Sequence, residues 1–148
     1  MTMKGYPKWF SLFIIIMMVM LFISGCLLAP TTLDFRLQYD MPWRLSGDAR
    51  IMTVSLHVFV SFLIVMALGA IWHLHMRIGL RKGKNVYSGL FLVGSLLVLT
   101  LTGVGVLYFG NERMSVFSSL SHLAAGLLLM ALFIYHYIKG RMIARAAR

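Results

Sequence analysis

Four stretches of this chain contain no Asp, Glu, Lys or Arg: residues 9–30, 51–75, 86–110 and 114–138. A helix rises about 1.5 Å per residue, so about 20 apolar residues cross the hydrocarbon core of a bilayer. Each stretch is long enough. Inside hydrocarbon every backbone N–H and C=O must find a partner, and a single segment achieves that only as a helix. With 148 residues and 60% of them hydrophobic, little chain remains for a domain outside the bilayer. A separate catalytic domain is not expected. The prediction is an all-α, integral membrane four-helix up-down bundle, one transmembrane domain over 1–148. Its helices fall near 9–29, 51–76, 86–109 and 116–140, with Pro30, Gly83 and the GNE at 110–112 marking breaks.

The charges are sorted along the chain. Lys4 and Lys8, then Arg77, Arg81, Lys82 and Lys84, then Lys139, Arg141, Arg145 and Arg148 fall on one side, with no acidic residue among them. The other side carries Arg36, Arg44, Arg50 and Arg113 against Asp34, Asp40, Asp48 and Glu112, and is neutral. The positive-inside rule places both termini and the 76–85 loop in the cytoplasm, in a bacterial inner membrane. Topology thus accounts for the net charge of +10, and a nucleic-acid partner is not expected.

Cys26 is the single cysteine, so no intramolecular disulfide forms. The opening ends in ISGC after a basic start and an apolar core, as a bacterial lipoprotein signal does, with the Cys lipidated after cleavage. The other reading is a retained helix whose Ser24 and Gly25 are small residues near its outer end; the apolar LLAP that follows suits it. The two halves also look alike. The first segment ends with Ser24-Gly25 and the third with Thr102-Gly103; the second begins SLH and the fourth LSH; the second ends IWHLH and the fourth IYHY. Two related helix pairs are the expectation, and a repeat gives ISGC a structural reason.

All five histidines, His57, His73, His75, His122 and His136, lie on the second and fourth segments. Ionisable groups inside membrane helices are costly, and a set of them at matched depths marks function. His57 and His122 each lie near the outer end, and His73, His75 and His136 near the inner end. His122 and His136 are 14 residues apart, which is about 21 Å of rise and about 40° of rotation. One helix face therefore presents an imidazole in each leaflet. Bis-histidine haem takes one imidazole from each of two helices. A structural zinc site wants four ligands together and fits less well. Small residues of the third segment, among them Ser88, Gly89, Gly94, Gly103 and Gly105, would leave room for a macrocycle. Met17, Met18 and Met20 could offer a thioether but read better as lipid-facing or core residues.

The pattern resembles the four-helix di-haem b-type cytochromes of bacterial membranes, such as those that accompany formate dehydrogenase and nickel hydrogenase, and small cytochrome-b-like domain proteins. The residues that carry it are SG at 24–25, PWRLSG at 42–47, LH at 56–57, TG at 102–103, SH at 121–122 and YH at 135–136. The resemblance implies two non-covalent haem b groups and electron exchange with quinone or a redox partner. No CxxCH is present, so c-type attachment is excluded. It implies His57 and His122 as outer iron ligands and His136 as one inner ligand. For the other inner ligand the sequence offers two residues. His75, 18 residues from His57, lies on the same helical face but about 27 Å away. His73 is nearer in depth and shares an aromatic-His pair with Tyr135-His136. His73 is the expectation, with a distortion such as a π-bulge near Gly69-Ala70 turning it inward. His75 would then bond a propionate, a quinone or water.

An electron conduit follows as the expected function: a transmembrane electron-transfer subunit of an oxidoreductase complex rather than a stand-alone enzyme. Arg77 and Lys139 are expected near haem propionates, and Ser118, Ser121 and Thr102 on the second nitrogens of the ligand imidazoles. The 31–50 loop, with Tyr39, Trp43 and Arg44, is a candidate dock for an outer redox subunit or carrier. Rival classes are a haem-free membrane anchor or assembly subunit, and a haem or metal transporter.

Overall fold

The computed structural model describes residues 8–83 and 85–146. Helix α1 spans Lys8–Leu37, α2 Gly47–Ile71, α3 Arg77–Lys82, α4 Val86–Tyr108 and α5 Glu112–Ala146, and a π-helical turn, Trp72–Met76, joins α2 to α3. The four long helices are each long and apolar enough to cross a membrane. Their outer faces stay uncovered, with Phe91 65%, Phe117 66% and Leu101 73% exposed. Surface of that kind is stable against lipid, not water. The chain is an all-α multi-pass membrane bundle. Lys4, Lys84 and Arg148 of the basic set lie outside the described residues.

α1 packs along α2, α4 packs along α5, and α1 also packs along α5. Each half of the chain is thus one helical hairpin, and α1 and α5 join the two. The buried apolar layer is thin: Met18 of α1, Ile64 of α2 and Leu129 of α5, with Leu92, Leu96 and Leu99 of α4 packed around them. Leu129 is midway in sequence between His122 and His136. The core therefore sits between the two histidine levels and keeps them apart. Burying apolar side chains gains little when the alternative is lipid, so close packing and interior hydrogen bonds hold such a bundle.

Several boundaries differ from those read in the sequence. α1 does not stop at Pro30 but continues to Leu37. The proline removes one backbone donor, yet the next turns are anchored from outside. Arg44 pairs with Asp34, and the Arg44 and Arg50 guanidinium groups each sit 5.3 Å from the Phe35 ring centroid. These contacts order the extra turns and shorten the outer connection to residues 38–46. Gln38 and Gly47, both at φ 54, flank that connection. α5 starts four residues earlier and ends six later than expected. At the inner turn Gly83 (φ 62) and Asn85 (φ 57) are both left-handed, a conformation Gly and Asn tolerate best.

Gly105 of α4 shows how tight the α4–α5 seam is. A Cβ placed there would collide with the Ser118 side chain and approach Phe109 Cε2 to 2.9 Å. Gly94 on the same helix has open space instead. Gly105→Ala is expected to destabilise the protein by about 1–3 kcal/mol through overpacking. Gly94→Ala should be neutral or stabilising by up to about 1 kcal/mol, because alanine favours the helix. Thermal unfolding of both variants in detergent checks this, and equal behaviour would contradict the packing described.

Candidate functional site

His57 of α2 and His122 of α5 face each other near the outer end, ring centroids 6.2 Å apart and planes 69° apart. Each ring is held by the other helix of its own hairpin. Ser24 Oγ of α1 is 2.8 Å from His57 Nδ1 and 2.7 Å from the Met20 carbonyl. A hydroxyl has one proton, and a carbonyl only accepts. With the Ser24 proton on the Met20 carbonyl, His57 Nδ1–H donates to Ser24. The His57 Nε2 is left with its lone pair. Thr102 repeats this on α4: its Oγ1 is 2.8 Å from the Val98 carbonyl and 3.0 Å from His122 Nδ1. The neighbouring glycines make room. A Cβ on Gly25 would lie 3.5 Å from His57 Cε1, and one on Gly103 would lie 3.3 Å from His122 Cε1. The hydroxyl-Gly dipeptide is thus a cradle: the hydroxyl sets the tautomer and the glycine lets the ring lie close against the helix.

A third cradle serves the inner end. His136 Nδ1 is 2.8 Å from Ser88 Oγ, which is 2.6 Å from Asn85 Oδ1. The amide oxygen only accepts, so Ser88 donates to Asn85. His136 Nδ1 then faces both the Ser88 oxygen and, at 3.2 Å, the Asn85 Nδ2 donor, so this cradle orients the ring without setting its tautomer. Asn85 Nδ2 donates to the His136 carbonyl at 3.2 Å. Gly89 lies beneath the ring, its imagined Cβ 3.6 Å from His136 Cε1.

The residue opposite His136 is His75, with centroids 6.1 Å apart and planes 77° apart. His73, expected at that place, is exposed and is not in the pair. The distortion that the sequence required exists, but at Trp72–Met76, carrying both histidines, rather than near Gly69-Ala70. A π turn packs an extra residue per turn, so it shortens the axial path to His75 and reduces its excess depth. With the turn in place it is His75, not His73, that faces His136. His75 makes no hydrogen bond to a described residue, unlike the other three.

The inner pair opens on a cavity of about 410 Å³ that reaches from Met18 and Ile64 at mid-bundle to Lys82 and Asn85 at the inner end. Arg77 is exposed and does not line it. Lys139 is absent from the lining too; its Nζ bonds Tyr135 Oη at 3.2 Å and sits 5.3 Å from that ring centroid. Of the three hydroxyls expected on imidazole nitrogens, Thr102 is there, Ser118 packs against Gly105, and Ser121 bonds no histidine among the described residues. Ser24, Ser88 and Asn85 do that work instead. The signal for them was the recurrence of a hydroxyl before Gly at 24–25, 88–89 and 102–103, although Ser46-Gly47 is the same dipeptide with no histidine beside it. Met18 belongs to the core between the levels. Thr31, Ser115 and Ser119 are buried near the outer end with no hydrogen-bond partner among the described residues.

The ring-centroid spacing of each pair suits two imidazoles on one shared atom as well as an ordinary edge-to-face ring contact. A metal bonded linearly to two imidazole nitrogens at about 2 Å each would hold the ring centroids about 6.3 Å apart. No hydrogen bond joins the rings within either pair among the described residues. Nor do three or more His, Cys, Asp or Glu converge there, so a site built from several protein ligands is not formed by the described residues. No protein-family model, curated protein or solved structure matches the chain.

The tautomers are directly testable. In the metal-free protein, ¹⁵N NMR of labelled histidine should find His57 and His122 with the proton on Nδ1. Ser24→Ala should release that preference at His57 alone and cost about 0.5–1.5 kcal/mol of stability. A His57 that stays Nδ1-protonated in Ser24→Ala would contradict the cradle.

Proposed function

We propose that this chain is a membrane b-type cytochrome with two haem groups, one held by His57 and His122 and one by His75 and His136. It acts as the electron-transfer subunit of an oxidoreductase complex, between a redox partner and quinone or a second carrier. Both termini lie in the cytoplasm of a bacterial inner membrane, as the charge distribution suggests. The observation that carries the reading is the pair spacing of 6.2 Å and 6.1 Å on two facing helices. The donor set fits as well, since neutral imidazoles with a bare Nε2 are the ligand form. The resemblance to four-helix di-haem cytochromes points the same way.

Haem iron, when bound, supplies reversible one-electron transfer. The chain's own residues supply the rest. Ser24 and Thr102 hold the protons on Nδ1 of His57 and His122, and Ser88 with Asn85 fixes the orientation of His136. Gly25, Gly103 and Gly89 keep the space beside those rings clear. The core layer of Met18, Ile64 and Leu129 excludes water between the levels, which are about 21 Å apart along α5. The cavity beside His75 and His136 can take a flat apolar body between the helices.

Protein purified after expression with ample haem should show reduced b-type absorption bands and about two haems per chain by pyridine haemochrome. His57→Ala or His122→Ala should leave one haem, and so should His75→Ala or His136→Ala. His73→Ala should keep both. A folded but colourless protein would overturn the proposal and favour a haem-free anchor or assembly subunit. Loss of the inner haem in His73→Ala with retention in His75→Ala would reverse the ligand assignment.

A further inference from the structure

The inner cavity has a polarity gradient along its length. Its upper wall is apolar, with Ile14 and Met18 of α1, Ile64 of α2 and Phe133 of α5. Its inner end carries Asn85 and Lys82. Lys82 is the last residue of α3, seven positions after His75. It makes no hydrogen bond or ion pair with a described residue. Among the described residues its neighbours in charge are bonded elsewhere or do not line the cavity. Lys139 bonds Tyr135 Oη, Arg141 Nη1 bonds Tyr137 Oη, and Arg77 and Arg81 do not line the cavity.

Nor does the chain provide a counter-charge. Its acidic residues are Asp34, Asp40, Asp48 and Glu112, all at or near the outer ends of the long helices. An ammonium at the mouth of a mostly apolar cavity, about two turns below a ligand histidine, therefore has no counter-charge among the described residues. A lysine stem is flexible enough to place its charge at the membrane face while its methylenes cover apolar wall. A neutral quinone ring would leave that charge unmatched. A flat apolar body with an acidic edge matches both ends of the cavity.

We infer that Lys82 pairs with a carboxylate of the ligand in the inner cavity and so fixes its orientation, acidic edge toward the inner membrane face. This rests on the haem reading of the His75–His136 pair. It assigns to Lys82 the role that the sequence suggested for Arg77 and Lys139, and it makes the inner end the side from which the ligand enters.

The test compares haem with its neutral dimethyl ester. Haem-depleted protein is titrated in neutral detergent, both as the wild-type chain and in the His57→Ala background that keeps the inner pair only. Lys82→Gln is expected to weaken inner-site haem binding about five- to tenfold, the scale of a partly exposed ion pair. The dimethyl ester should bind with and without Lys82 equally well. Two results would overturn the inference: haem binding unchanged by Lys82→Gln, or haem and ester weakened alike. An effect of Lys82→Gln that appears only when anionic phospholipid is added would also overturn it, assigning the lysine to a lipid headgroup. Failure of the haem reading looks different. The chain with Lys82 intact would then take up neither compound with a spectrum that depends on His75 and His136.

Discussion

An imidazole inside a bilayer has two nitrogens to satisfy and no water to satisfy them, and this bundle is arranged around that problem. Two of its four paired histidines, His57 and His122, solve half of it within their own hairpin, by donating Nδ1–H to a hydroxyl whose proton is committed to a carbonyl, and His136 rests on Ser88 and Asn85. The second nitrogen of His57 and His122 is thereby left as a bare acceptor facing the interior. A glycine next to each hydroxyl makes the approach possible. The thin apolar core, the serine-rich α4–α5 seam and the α1–α5 contact all lie where they keep these rings at fixed heights. Packing and interior hydrogen bonds carry more weight in lipid than apolar burial does.

The inner level departs from this scheme. His75 stands on a π turn, has no hydroxyl partner among the described residues, and borders the cavity. π turns insert a residue without breaking the helix, and they recur where a side chain must be re-aimed. Here the insertion brings a histidine 18 residues from His57 toward the level of one only 14 residues from His122. The outer level is therefore rigid on both sides and the inner level on one, which makes the inner site the more adaptable of the two.

Much of this was legible in the sequence because the membrane leaves few options. Charge-free stretches of this length can only be helices, and lysine and arginine sort to one side. Histidines at matched depths on the second and fourth stretches had to meet across the bundle if the topology was up and down. The internal repeat also had physical content: Ser24-Gly25 and Thr102-Gly103 do the same thing to His57 and His122. Other features depended on contacts between distant residues. The Arg44–Asp34 pair that carries α1 past Pro30 is one, and the Ser88–Asn85 support of His136 is another.

The sequence alone determined four spans, two histidine levels and one end of the bundle without acid, because hydrophobicity, helical rise and charge sorting are local properties. Only the tertiary structure decided which of His73 and His75 faces His136, and that Lys82 rather than Arg77 borders the cavity. Two residues apart on a helix differ by more than half a turn, and one extra residue in a π turn shifts the phase of all that follows. A choice that sensitive depends on where the neighbouring helices hold the turn, and no window of sequence contains them.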